Sequence, residues 1–266
     1  MKQVMKNDLS EEKISHFCSN FSEKIVVKSR VTSTQDYAKQ VLEKGSLEKE
    51  LLVVANQQST GYGKLGRAFY SPANAGIYMT IVLPHKTPRE IQQSGLFTTG
   101  VGVAVLNALQ EFYPALPFQL KWVNDIYLFG RKIGGGILCE SVYQMQEHSY
   151  CYVTGIGLNI NVKQFPSSLK NIAETITDRG VDRNKLTAEI VKQLIEVNAN
   201  YQSGKFLAQY RQHNYLDQQM VKVMREKTEI VGRVCGIDSQ ARLVIEDKHG
   251  KKMALTSGEV TKVYCD

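Results

Sequence analysis

Up to Leu216 the chain alternates short apolar runs and stretches of helical periodicity with polar, glycine-bearing connections. Lys24-Ile25-Val26-Val27-Lys28 reads as a strand, and Ser33-Thr34-Gln35-Asp36 supplies N-cap chemistry for a short helix carrying Tyr37, Ala38, Val41 and Leu42. Leu51 to Ala55 is apolar throughout, as in a buried strand, and Ile77 to Leu83 is its expected partner. Pro88 to Tyr113 contains a long helix, with Leu96, Val101, Val105 and Leu109 near helical spacing and glycines that allow close packing. From Phe118 the pattern returns to strand, with a turn at Gly130-Arg131. Tyr150 to Val162 is a further strand, where Gly155 and Gly157 either admit a ligand or another backbone or mark a bulge. Asp182 to Lys185 opens a long amphipathic helix through Leu186, Ile190, Leu194 and Val197, and Phe206 to His213 forms a short one.

Beyond Leu216 the pattern changes. Five short runs, Gln219 to Arg225, Glu229 to Ile237, Ala241 to Asp247, Lys251 to Thr256 and Glu259 to Tyr264, are separated by turn signals such as Asp247-Lys248-His249-Gly250. The expectation is an α/β (α+β) unit over residues 1–217 and a small β-barrel over 218–266.

Composition narrows the class only a little. With 266 residues and 42% hydrophobic content the chain can build one substantial domain plus a small one. No apolar run approaches the roughly 18 residues that span a bilayer, and Met1 to Asp8 lacks a signal-peptide core, so a cytoplasmic protein with no membrane partner is expected. Five scattered cysteines without a Cys-x-x-Cys pair suggest neither a disulfide framework nor a zinc site, and the histidines show no metal-ligand spacing. The formal charge of +7 admits nucleic acid, an anionic small substrate or an acidic protein. Position favours the second: Lys64, Arg67, Lys121, Arg131 and Lys132 sit in or beside loops between apolar strands, although the C-terminal cations keep a surface role open.

Residues 59–72, STGYGKLGRAFYSP, raise the question of phosphate. Gly61, Gly63 and Gly66 satisfy the spacing of a dinucleotide fingerprint, yet a strand rather than a helix follows, and Arg67-Ala68 stands where a P-loop needs Lys and Ser or Thr. The element reads as strand, glycine loop, strand.

The combination of motifs is more specific than any one of them. Ser33-Thr34-Gln35, the loop from Gln58 to Arg67, Lys121-Trp122-Val123-Asn124-Asp125, Arg131-Lys132-Ile133-Gly134-Gly135, Gly155-Ile156-Gly157-Leu158-Asn159 and Ser257-Gly258-Glu259-Val260 follow one another in an order that resembles the biotin protein ligases. The resemblance covers nearly the whole chain. It implies a central mixed sheet flanked by helices, of the kind shared with class II aminoacyl-tRNA synthetases, and an SH3-like C-terminal barrel. It also implies a two-step reaction: biotin and ATP with Mg2+ give biotinyl-5′-adenylate, which acylates a lysine of a biotin carboxyl carrier protein.

By the same resemblance, Lys132 bridges the biotin carboxylate and the α-phosphate, while Lys64, Arg67 and glycine N–H groups clamp phosphate oxygens. Ser33, Thr34, Gln35, Gln58, Tyr62, Gly63, Gly135, Gly155 and Gly157 belong with Lys64 and Lys132 to the biotin site. Gly61, Gly63, Phe69, Lys121, Asn124 and Asn159 join Lys64 and Arg67 at the ATP site. Asp125 either draws in the incoming lysine amine or holds magnesium, which otherwise arrives with ATP.

The chain departs from the family pattern at several positions. Tyr62 and Lys64 replace loop arginines, which loses a bidentate fork; Gln35 replaces asparagine; Phe69 and Val123 stand for a tryptophan and a proline. Three consecutive glycines, 134–136, leave the register of the next strand open. A lipoate ligase is the alternative, lacking here its Arg-Arg-x-Ser-Gly-Gly-Gly loop. A DNA-binding repressor is disfavoured because about 23 residues before Lys24 are too few for a helix-turn-helix unit with its own core, which makes the expected protein a short ligase without sequence-specific DNA binding.

Overall fold

The computed structural model describes residues 9–18, 24–45, 47–133, 136–177 and 181–264. Five strands make the central sheet: β1 (Lys24–Lys28), β2 (Leu51–Ala55), β3 (Gly76–Lys86), then β7 (Gly136–Gln144) and β8 (Ser149–Asn159), in the spatial order β1-β2-β3-β8-β7. Only β1 and β2 run parallel, so the sheet is mixed. Nearly every residue of β2 and β3 is buried, which explains runs such as Ile77 to Leu83 that are apolar without alternation. The register left open by the three glycines is resolved by Gly136 opposite Gly157.

Helices cover the sheet. Besides α2 (Thr34–Lys44) and α5 (Arg183–Asn200), the expected long helix is α4 (Ser94–Phe112), preceded by a short one, α3 (Pro88–Gln92). Thr87 and Glu90 form a capping box with Pro88 in the first turn, and the N–H of Gln93 closes that turn onto Glu90, so the short helix ends before α4 begins. In α4, Gly100 lets Val197 and Phe206 approach, as a Cβ there would lie 2.9 Å from the valine methyl. A helix that sequence reading left as a polar start, α1 (Glu11–Phe17), is capped by Ser10 and leads into Cys18, whose thiol meets the Ala188 carbonyl of α5.

A three-stranded antiparallel meander, β4 (Phe118–Lys121), β5 (Asp125–Leu128) and β6 (Arg131–Lys132), stands beside the main sheet. After α6 (Leu207–Gln212), the strands expected beyond Leu216 are β9 (Met220–Arg225), β10 (Thr228–Ile237), β11 (Leu243–Glu246), β12 (Lys252–Leu255) and β13 (Glu259–Tyr264). They form an antiparallel sheet in the order β12-β11-β10-β9-β13. Trp122 Nε1 donates to the Ala241 carbonyl (2.9 Å) and Arg211 Nε to that of Ile237 (2.8 Å), which docks this sheet against the meander and α6. No helix of the described residues is long and apolar enough to cross a membrane.

Candidate active site

Two cavities meet at the glycine loop. The smaller, about 30 Å3, is lined by Ser33, Thr34 and Gln35 at the N-terminus of α2, by Gln58, Tyr62, Gly63 and Phe69 of the loop, and by Thr80, Gly136, Gly155 and Gly157 of the sheet. Residues 31–32 pair with 58–60, which brings the helix start against the loop: the N–H groups of Ser59 and Thr60 donate to the carbonyls of Val31 and Thr32. The helix cap consumes the Ser33 hydroxyl, which accepts from the N–H groups of Gln35 and Asp36. Thr34 donates through its N–H (2.8 Å) and its hydroxyl (3.2 Å) to Gln58 Oε1, so the Gln58 amide turns its nitrogen toward Ser71 Oγ (3.0 Å). Gln35 donates to Glu140 and to the Val153 carbonyl, with its oxygen 3.1 Å from the Thr80 hydroxyl.

The strand glycines make room for side chains. A Cβ on Gly155 would lie 2.6 Å from Gln35 Oε1, and one on Gly157 would lie 2.5 Å from the Phe69 ring. Side chains fill the room that these two glycines leave in the wall of the small cavity.

The larger cavity, about 990 Å3, holds four of the cations singled out by sequence or resemblance: Lys64, Arg67, Lys121 and Lys132. The meander positions two of them. Cross-strand pairing sets Lys121 opposite Asp125 and Tyr127 opposite Lys132, and Lys132 Nζ lies 2.7 Å from Asp125 Oδ1. Lys121 donates to Tyr127 Oη (3.1 Å) and the Val260 carbonyl (3.4 Å), and burial lowers its pKa. Asn124 also lines this cavity, with its side chain tied to the Ile137 carbonyl (2.9 Å). Buried Asn159 has an Oδ1 without a protein donor among the described residues. Gly63 and Phe69 border both cavities.

Two groups that the resemblance assigns to phosphate have partners within the protein. The N–H groups of Gly63 and Gly66 are used inside it, donating to the carbonyls of Arg67 (2.8 Å) and Gly63 (3.2 Å) across a single 3-10 turn. The Arg67 guanidinium pairs with Glu259 of β13, whose carboxyl is held below its ordinary range first by that hydrogen bond and further by Lys121 and Lys64. Gly61 faces Gln58, with a Cβ position 2.6 Å from its Nε2. The expected site residue Gly135 lies outside the described residues.

Sequence reading missed several contributors. Buried Arg183 was read only as a helix opening, yet it donates to Asn56 Oδ1 (2.8 Å) and Asn74 Oδ1 (3.2 Å), tying together both ends of the glycine loop. Lys39 and Glu140 form an ion pair of 2.7 Å behind the small cavity. Phe165, Leu169 and Ile172, from a connection without sequence pattern, wall the large one. Only Arg183, beside the cap residue Asp182, stands at a position that local sequence marks at all. Burial raises the thiols of Cys18, Cys139 and Cys151 to about 11, which leaves them poor nucleophiles. No cluster of three or more His, Cys, Asp or Glu able to hold a metal occurs among the described residues.

Comparison with known proteins places this arrangement. A profile of the Biotin/lipoate A/B protein ligase family matches residues 27–159, half of the chain. The biotin--[acetyl-CoA-carboxylase] ligase of Mycobacterium tuberculosis is 28% identical over 218 residues, covering 79% of this chain and 78% of that protein. The bifunctional ligase/repressor BirA of Bacillus subtilis is 26% identical over 236 residues, covering 84% of this chain and 69% of BirA. The biotin protein ligase from Aquifex aeolicus, solved with biotin and ATP, superposes with a TM-score of 0.77 at 26% identity, covering 90% of this chain and 98% of that one.

Proposed function

Because the chain belongs to the biotin/lipoate A/B protein ligase family, we propose that it is a biotin protein ligase, which activates biotin with ATP and transfers it to one lysine of a biotin carboxyl carrier protein. The observation that carries this reading is the abutment of a small cavity floored by amides and hydroxyls against a large one holding four cations. The Mycobacterium relative's name and the ligands of the Aquifex protein support the same substrates and carrier. The biotin ligases named above, and the absence from the sequence of the Arg-Arg-x-Ser-Gly-Gly-Gly loop of lipoate ligases, disfavour lipoate.

In the first step a biotin carboxylate oxygen bonds to the α-phosphorus of ATP as the bond to pyrophosphate breaks. Two like unit charges about 4 Å apart repel by roughly 4 kcal/mol at an effective dielectric near 20, so fixed cations must offset the approach. Lys132, oriented by Asp125, takes the position between carboxylate and phosphate. Lys64, Lys121 and Arg67, the last after exchanging Glu259 for phosphate, hold the triphosphate. Asn124 and Asn159 orient the nucleotide, with Gly61, Gly63 and Phe69 closing over it. In the second step the carrier amine bonds to the acyl carbon, AMP leaves with the acyl oxygen, and the amine gives up a proton. Magnesium shields phosphate charge when bound with ATP, and Asp125 and Glu259 are cavity carboxylates of the kind that ligate it.

Ser33, Thr34, Gln35, Gln58 and Tyr62 surround the urea, with Gly155 and Gly157 behind them. A space of about 30 Å3 holds little more than water, so a bicyclic head enters as Phe69 swings off Gly157. Residues 1–217 carry the chemistry, and residues 218–266 wall the nucleotide cavity through Met224 and Ser257 to Thr261.

The test is incubation with ATP, magnesium and radiolabelled biotin, with and without a carrier domain, beside a lipoate control. Label on the carrier lysine is expected; folded protein that makes neither adenylate nor labelled carrier refutes the reading.

A further inference from the structure

Behind the floor of the small cavity, α2, the glycine loop and β7 meet in a polar network. Tyr62 Oη donates to Asp36 Oδ1 (2.6 Å), Lys39 Nζ reaches Tyr62 Oη (3.5 Å) and pairs with the Glu140 carboxylate (2.7 Å), and the same carboxylate accepts from Gln35 Nε2 (2.8 Å). The second N–H of that amide goes to the Val153 carbonyl (2.9 Å). A carbonyl and an ionised carboxylate only accept, so both can face nothing but the amide nitrogen. Inverting the amide would set its oxygen against two acceptors. Its Oε1 is therefore held toward Gly155 and Thr80, on the wall of the cavity.

We propose that Glu140 is a positioning residue for ligand recognition: it fixes the Gln35 amide so that Gln35 presents an acceptor, and only an acceptor, to an N–H of a cyclic urea. The inference rests on the biotin ligase reading. Lys39 supplies the counter-charge, and Tyr62 ties the same network to the loop. Gln35 and Tyr62, both departures from the family pattern, thus belong to one unit.

Glu140→Gln tests this, because it replaces one of the two obligate acceptors by a group that can also donate and removes the charge that pairs with Lys39, leaving the Val153 carbonyl alone to hold the amide. Expected results are a biotin Kd weakened about tenfold, an unchanged ATP Kd, and displaced side-chain amide resonances of Gln35 in the ligand-free protein. Glu140→Asp, which keeps an obligate acceptor, should recover part of the affinity. Methylating a urea nitrogen should weaken binding to wild type more than to Glu140→Gln, because the variant has already lost the fixed acceptor. Equal biotin affinity in variant and wild type, with unmoved Gln35 resonances, overturns the inference while leaving the ligase reading intact. So does a parallel loss of biotin and ATP binding with a lowered Tm, which marks a structural role. Failure of folded wild type to bind biotin overturns the ligase reading and this inference with it.

Discussion

The two cavities are built on opposite principles. The small one is lined by strands and a capped helix start, and its amides and hydroxyls are already hydrogen-bonded: Thr34 to Gln58, Gln58 to Ser71, Thr80 to Thr34, Gln35 to Glu140. The large one is assembled from a loop, a meander and a separate C-terminal sheet, and its cations include the well-exposed Arg67. A ligand entering the small one must replace those internal hydrogen bonds with its own, and each buried group it leaves unpaired costs about 1–3 kcal/mol. A cavity walled by several elements and holding four cations suits a polyanion. Phe69 borders both.

Substitutions that affect one cavity and spare the other sharpen that contrast. Lys132→Ala should have the largest effect, lowering carrier labelling by about two orders of magnitude or more while biotin still binds. Single-turnover adenylate formation checks it, and near-normal rates would remove Lys132 from the chemistry. Arg183→Ala comes next. Loss of the buried guanidinium that clamps Asn56 to Asn74 should cost about 2 kcal/mol in urea unfolding and speed adenylate loss through a looser loop. Gly155→Ala pushes a methyl group against Gln35 and should weaken biotin binding about tenfold, or about 1.4 kcal/mol, with ATP binding unaffected; calorimetry with each ligand separates the two.

The smallest effect belongs to the ion pair between loop and C-terminal sheet. Glu259→Gln should change global stability by less than about 1 kcal/mol, since both partners are partly exposed. Acid should do the same reversibly. The folded carboxyl titrates below its ordinary value, so its contribution is complete above the unfolded pKa and is lost as pH falls through the folded one. Hydrogen-exchange protection at Gly63 and Gly66, relative to intrinsic exchange at each pH, should fall in that acid range in wild type, and much less so in Glu259→Gln.

The legible parts of this protein are those whose cause is local. Leu51 to Ala55 and Ile77 to Leu83 announced their strands because a fully buried strand has no polar face to display. Ser33 and Asp182 announced helix starts because a cap acts within three residues. The sequence does not mark the break at Gln93, since helical periodicity runs on through it, and α1 was missed because one buried residue, Ile14, leaves little apolar signal.

Within the site, order along the chain identified the loop, the Lys121 to Asp125 segment, Lys132 and the strand glycines, since each carries a distinctive local spelling. What those residues touch was not written there. Gln35 meets Glu140 across 105 positions and Arg67 meets Glu259 across 192, contacts that exist only after the sheets pack. Gly155 and Gly157 show the division most plainly. The chain itself determined that no side chain stands there; the packing of β8 against α2 and the loop decided that a glutamine amide and a phenylalanine ring fill the space. Sequence sets residue type and local geometry through neighbours a few positions apart, whereas the partners of a polar group depend on which distant segments share a wall, and only the folded sheet brings those together.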